Sequence, residues 1–143
     1  MGIQLPDPPK PVGAYVAYKK IDKLLYISGQ LPISIDGKIL KGKIGDNLTL
    51  EDGQKASMLC VINILSQVNK ALDGNLSKVR SCIKITGFVN STNDFNDQPK
   101  VINPASETLA KIFGDSGKHT RAAVSTNSLP LGAAVEIDAI FEI

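Results

Sequence analysis

Histidine, cysteine and tryptophan are scarce in this chain: 143 residues contain one histidine, two cysteines and no tryptophan, and aromatic residues make up 5%. Each scarcity removes a class of chemistry. His119 alone excludes a catalytic histidine pair, and a zinc site would need a carboxylate-rich ligand set, so no metal is expected. Cys60 and Cys82 are too few for a disulfide framework or a four-thiolate site. Both stand in apolar segments, which reads as buried reduced thiols. Neither is spaced to form a nucleophilic pair with His119. Few aromatics and no basic stripe exclude a stacking platform for single-stranded nucleic acid.

Charge of one sign is also lacking. Sixteen basic and fourteen acidic side chains leave a net charge of +2, and Lys19-Lys20 is the one adjacent basic pair, so nothing draws the chain to nucleic acid or an anionic membrane. No apolar run reaches membrane-spanning length. The N-terminus lacks the basic-then-apolar order of a signal peptide, and Pro6 spoils Met1-Gly2 as a myristoylation site. A soluble cytoplasmic protein of one domain is expected.

Proline is plentiful only at the start. Residues 1–14 hold four of the eight prolines and read as an extended arm, loose or packed on a neighbour, ahead of a domain spanning 15–143. Two strands follow, Tyr15–Lys19 and Leu24–Ser28, around a charged turn at Lys20–Lys23 and ended by Gly29. Gln30–Asn47, rich in Gly and Lys, reads as a long exposed loop with a short hairpin at Asp36-Gly37. Thr49-Leu50-Glu51-Asp52 is a capped helix start, and Met58, Val61, Ile62, Leu65, Val68 and Leu72 continue it at helical spacing to Gly74. Val79–Val89 is a central strand with Ile83 and Ile85 on one face and Lys84 and Thr86 on the other. After a polar loop, Val101, Ala105, Leu109, Ile112 and Phe113 mark a second helix, with Pro99 and Pro104 in its first part and Gly114 at its end.

Two closing strands complete the order ββαβαββ, an α+β two-layer sandwich with two helices on one face of a mixed sheet. From Val135 to Ile143 every odd position is apolar, while Glu136, Asp138 and Glu142 fill three of the four even ones. Arg121 shares its strand face with the small Ala123 and Ser125, a planar donor beside open space that suits a small carboxylate. With Arg121, Glu136, Asp138, Lys84 and Thr86 all assigned to the face away from the helices, opposite charges would meet there. A polar face this broad calls for a homo-oligomer with clefts between subunits.

Gly13-Ala14-Tyr15, Ile27-Ser28-Gly29-Gln30-Leu31-Pro32, Arg121, Leu129-Pro130 and Val135-Glu136-Ile137-Asp138-Ala139-Ile140 together resemble, in that order, the reactive intermediate deaminase family, also called YjgF-like and formerly endoribonuclease L-PSP. The resemblance runs from about Pro11 to the end. It implies a chorismate mutase-like fold, a homotrimer with three intersubunit clefts, and cofactor-free hydrolysis of enamines and imines such as 2-aminoacrylate to 2-keto acids and ammonia. It also implies that Arg121 grips the substrate carboxylate, that Glu136 positions or activates the attacking water, and that Tyr15, Ser28, Gly29 and Asn103 line the pocket. Ala123 stands where many deaminases of the family carry cysteine, and the 34–47 loop is longer than usual. A cofactor-free imine hydrolase and a non-catalytic trimer that binds small keto acids are the two functions these residues allow; Glu136 is essential only to the first.

Overall fold

The strongest helical periodicity becomes the longest element. In the computed structural model, which describes residues 2–143, helix α1 spans Leu50–Ala71. The Thr49 hydroxyl accepts the Asp52 N–H, and the Asp52 carboxylate accepts the Thr49 N–H, so two free donors at the helix start are satisfied reciprocally. Cys60, Val61, Ile64, Leu65 and Val68 turn one face into the core. At the other end Asp73 adopts φ 54°, and the N–H of Gly74 returns to the Asn69 carbonyl at 2.8 Å.

Helix α2 spans Gln98–Phe113 and holds Pro104 in its interior. Proline lacks the N–H that would bond the carbonyl four residues earlier, which belongs to Lys100. The Gln54 amide of α1 donates to that carbonyl at 2.9 Å. One polar side chain thus repairs the proline gap and ties the two helices together.

The five strands are β1 (Tyr18–Ile21), β2 (Leu24–Gln30), β3 (Ser81–Asn90), β4 (Thr120–Thr126) and β5 (Val135–Glu142), in spatial order β1-β2-β5-β3-β4. Only β3 and β4 run parallel, joined by the α2 crossover; the other pairs are antiparallel. Leu25, Ile27, Ile85, Val89, Val135, Ile137 and Phe141 pack beneath the helices. This is the expected α+β two-layer sandwich, and the odd-numbered residues of β5 are its most buried row.

Several local expectations shift. The first strand begins at Tyr18 rather than Tyr15, and Lys20 and Ile21 belong to it, because the hairpin closes on Asp22-Lys23 alone with Asp22 at φ 52°. Ile83 and Ile85 do not share a face: a bulge between Cys82 and Lys84 re-aims the strand, leaving Ile83 37% exposed and Ile85 fully buried. The 30–47 segment keeps its small hairpin, with Ile33 bridged to Ile39, yet it is not simply exposed. Ile44 is fully buried and bridges Leu48 and Ser91, while the Asn90 amide donates to Gly42 and Ala133 carbonyls at 3.1 Å each. Of the proline arm, Met1 lies outside the described residues; Leu5 packs against the core and the Pro9 carbonyl accepts the buried Gln67 amide at 2.8 Å.

Candidate functional site

The residues singled out in the sequence fall into two groups, and sheet register decides which. Strand partners point to the same side of a sheet and successive residues to opposite sides. Arg121 pairs with Ile85, which pairs with Ala139, so all three face the helices. Glu136 pairs with Phe88, and Phe88 with Val124, in the row facing away from them. Arg121 and Glu136 of one chain therefore lie on opposite faces of the sheet, with β3 between their strands. The expectation that they share the open face, and that opposite charges meet there, is corrected: the crossover through α2 makes β4 parallel to β3 instead of pairing it with β5. Glu136, Asp138, Lys84 and Thr86 do share the open face.

On that face the first group forms around a bulge. Between Ile27 and Gln30, β2 carries one residue more than β5, and Ser28-Gly29 absorbs it. The Ser28 N–H donates to the Ala17 carbonyl at 2.9 Å and its hydroxyl to the Val16 carbonyl at 2.6 Å, which pins the segment carrying Tyr15. The Glu136 carboxyl lies against Gly29, where a β-carbon would stand 2.9 Å from Glu136 Cδ. A side chain at position 29 would force the Glu136 carboxyl to turn aside. Tyr15, Gly29 and Leu131 also line a cleft of about 80 Å³ beneath the proline arm.

Glu136 is partly buried, and among the described residues no basic side chain lies within ion-pair distance of it. Burial raises its pKa above the usual carboxylate value, and the nearby negative charge of Asp138 raises it further. Its protonated and ionised forms are thus closer in energy than those of a solvated glutamate.

The second group lies at the edge between β4 and α2. Arg121 Nη1 donates to Asn103 Oδ1 at 3.0 Å and to Ser106 Oγ at 3.2 Å, acceptors three residues apart on α2. Those two bonds use both hydrogens of Nη1. The Nη2 and Nε hydrogens meet no protein carboxylate among the described residues, leaving the guanidinium edge that takes an anion through two parallel bonds. Ser106 Oγ also lies 2.9 Å from His119 Nε2, and His119 Nδ1 is 2.7 Å from the Gly117 carbonyl oxygen. Ser106, His119 and Arg121 line an open groove of about 360 Å³ with Glu107, Ala110, Gly117 and Lys118.

Structure thus joins Arg121 with Asn103, and Glu136 with Gly29 near Ser28 and Tyr15, but keeps the two groups apart in one chain. Ala123 stays on the helix side with Arg121 and packs against the core. Sequence reasoning missed Ser106 and gave His119 no role; the spacing of Asn103 and Ser106 on one helix was the available signal. The thiols are as expected. Cys60 and Cys82 are buried, and burial pushes the Cys82 pKa up to about 12 and that of Cys60 well above the usual thiol value, so neither is an activated nucleophile. No helix among the described residues is long and apolar enough to cross a membrane.

Comparison with known proteins places this arrangement. The family described as "YjgF/chorismate mutase-like, putative endoribonuclease" matches residues 1–142. Protein TCP17 of Trypanosoma cruzi is 40% identical over 144 aligned positions, which take in 100% of this chain and 89% of that protein. The crystal structure of Atu1372 from Agrobacterium tumefaciens, a protein of unknown function, superposes with a TM-score of 0.93 at 47% identity, covering 99% of this chain and 87% of that one. A more distant relative, the 2-iminobutanoate/2-iminopropanoate deaminase of Dermatophagoides farinae, is 25% identical over 96% of this chain and 92% of its own length. With a family match over nearly its whole length and the two-layer fold to accompany it, the chain belongs to the YjgF/chorismate mutase-like family.

Proposed function

We propose that this protein hydrolyses small 2-imino acids and their enamine tautomers to 2-keto acids and ammonia, without a cofactor, in clefts between the subunits of a homotrimer. The observation that carries the reading is Glu136, a partly buried carboxylate with a raised pKa and no basic side chain within ion-pair distance, lying against a glycine that leaves no side chain between them. A carboxylate in a structural role is ordinarily given a cation or a set of donors; one without a cation and with its pKa shifted toward neutrality suits proton transfer to and from water. The Dermatophagoides relative's name supplies the substrate class.

The two groups on opposite sheet faces complete one site only if two chains contribute. Arg121 of one subunit, held by Asn103, takes the substrate carboxylate through Nη2 and Nε. Tyr15, Ser28, Gly29 and Glu136 come from a neighbouring subunit, with Ala123 behind Arg121. Tyr26 and Val124, 41% and 43% exposed on the open sheet face, are apolar surface for that neighbour to cover. Water attacks the imine carbon as Glu136 removes its proton; the C–O bond forms, the C=N π pair passes to nitrogen, and the Glu136 carboxyl delivers the proton there. Glu136 then takes the carbinolamine hydroxyl proton and passes it to the amine as C=O re-forms and the C–N bond breaks. Ammonia leaves and Glu136 is restored as the carboxylate.

A second reading, a non-catalytic trimer that binds keto acids and regulates a partner, draws on the self-sufficiency of the Arg121 cluster, which is complete without Glu136. One experiment tests both. Imines generated in situ by an amino acid oxidase are followed by keto acid formation with wild-type protein, Arg121→Ala and Glu136→Ala. Under the deaminase reading wild type accelerates release, Arg121→Ala abolishes binding and turnover, and Glu136→Ala retains keto acid binding without turnover. Binding of pyruvate without acceleration of any imine gives the result to the regulator.

A further inference from the structure

We propose that Ser106 and His119 are positioning residues for Arg121, forming a one-directional hydrogen-bond chain that makes the grip on a carboxylate depend on the charge of a single imidazole. The inference rests on the reading of Arg121 as the carboxylate clamp.

Donor and acceptor chemistry settles the direction of the chain. A guanidinium only donates and a backbone carbonyl only accepts. The Gly117 carbonyl is 2.7 Å from His119 Nδ1, so Nδ1 carries the proton and, in the neutral ring, Nε2 presents a lone pair. The Ser106 hydroxyl, 2.9 Å from Nε2, gives its hydrogen there and turns its own lone pairs to Arg121 Nη1 at 3.2 Å. Asn103 takes the other Nη1 hydrogen at 3.0 Å. Two acceptors on one nitrogen fix the guanidinium plane, and that plane decides where the free Nη2–Nε edge points.

A proton on Nε2 reverses the middle of the chain. The ring then points an N–H at the Ser106 oxygen, the hydroxyl hydrogen must turn away, and a positive charge stands one hydroxyl from the guanidinium. The charged groups around the ring are Glu107 on α2, Lys118 beside it and Arg121 on β4, all on the same groove. Asp115 of the short turn before β4 is engaged by Lys118 at 2.8 Å. From β3, Lys84 is level with Thr120 and faces the other side of the sheet. Arg121 is therefore the group whose placement the imidazole charge most directly disturbs.

Pyruvate titrated into the intact oligomer by calorimetry tests the grip. Wild-type affinity falls several-fold from about pH 8 to about pH 5, the range in which histidines change charge. Ser106→Ala weakens binding roughly 3- to 10-fold at the upper pH, the worth of one hydrogen bond, and Ser106→Thr recovers most of that loss. His119→Gln, whose amide oxygen accepts from Ser106 but does not titrate, flattens the pH dependence. A ligand-free readout stands beside these: with one histidine in the chain, the nitrogen-15 spectrum holds a single side-chain imidazole. The proton is expected on Nδ1, with an Nε2 resonance that shifts in Ser106→Ala. A proton on Nε2, an Nε2 signal indifferent to Ser106→Ala, or pH profiles that coincide for wild type and His119→Gln overturn the proposal. Absence of pyruvate binding to wild type at every pH instead sinks the clamp reading and the pH-dependent grip together, and the spectrum then decides the hydrogen-bond chain alone.

Discussion

Arg121 and Glu136 are both charged side chains on a half-buried sheet, yet one is surrounded by partners and the other has no basic partner. The Arg121 guanidinium is tied by Asn103 and Ser106, with His119 behind the serine, so its orientation is set before any ligand arrives. Glu136 has Gly29 against it and Asp138 nearby, which leaves its carboxyl uncompensated and its pKa raised. The difference separates two jobs. A group that binds a fixed charge gains from rigidity, since ordering it beforehand reduces the cost of binding. A group that exchanges protons gains from having no partner that favours one charge state.

The largest effects come from removing each group outright. Arg121→Ala is expected to lower kcat/KM by about 100-fold or more, through loss of a charge-assisted bidentate contact, and Arg121→Lys recovers little because an ammonium cannot present two parallel donors. Glu136→Gln is expected to cost about 10²–10⁴ in kcat with pyruvate affinity little changed, as for loss of general-base assistance. Stability moves the other way. Because the folded-state pKa of Glu136 lies above its unfolded value, the folded protein binds more protons than the unfolded one between the two, and this residue's contribution declines as pH rises through that window. Glu136→Gln removes that penalty, so its Tm at neutral pH should exceed that of wild type, with the gap closing in acid. A lower Tm at neutral pH would mean that Glu136 has a stabilising partner after all, and the contrast with Arg121 would fail.

The two groups also differ in how far they were legible beforehand. Alternation from Val135 to Phe141 announced a strand with one buried face and placed Glu136 on the other, because β5 is regular along that stretch. Arg121 was visible as a residue but assigned to the wrong face. Its strand lies beyond β3, and its pairing with β3 rather than β5 is set by the crossover through α2, not by the pattern of its own residues. Bulges have the same effect on a smaller scale: counting twos through Ile83 or through Ser28-Gly29 gives the wrong face on the far side, since an inserted residue leaves no trace in apolar spacing. His119 was hidden for a different reason. Gly117 is two residues away, but Ser106 meets the ring only when α2 packs beside the start of β4.

Gly29→Ala sharpens the comparison from the side of Glu136. A methyl group there collides with the Glu136 carboxyl, which must turn aside or push the bulge outward. Because the carboxyl is the far end of a flexible side chain, the expected outcome is a stability loss of no more than about 1 kcal/mol in denaturant unfolding, the low end for overpacking, with kcat reduced and pyruvate affinity kept. If kcat and affinity fell together, Gly29 would belong to the carboxylate-binding side and the division of labour would need redrawing.

The mildest test acts on the Arg121 side from a distance. Gln54 lies on α1, away from the groove, and its amide satisfies the Lys100 carbonyl that Pro104 leaves open, three residues before Asn103 and six before Ser106. Gln54→Ala leaves that carbonyl to water and loosens the first turns of α2, which hold both acceptors for Arg121. A loss of about 0.5–1.5 kcal/mol in stability is expected from one hydrogen bond. A modest rise in KM should accompany it, with kcat unchanged, because the clamp is slackened while Glu136 is untouched. Equal falls in kcat and kcat/KM would show instead that α2 supports the proton-transfer side of the cleft, and that the two groups are coupled through the fold as well as through the substrate.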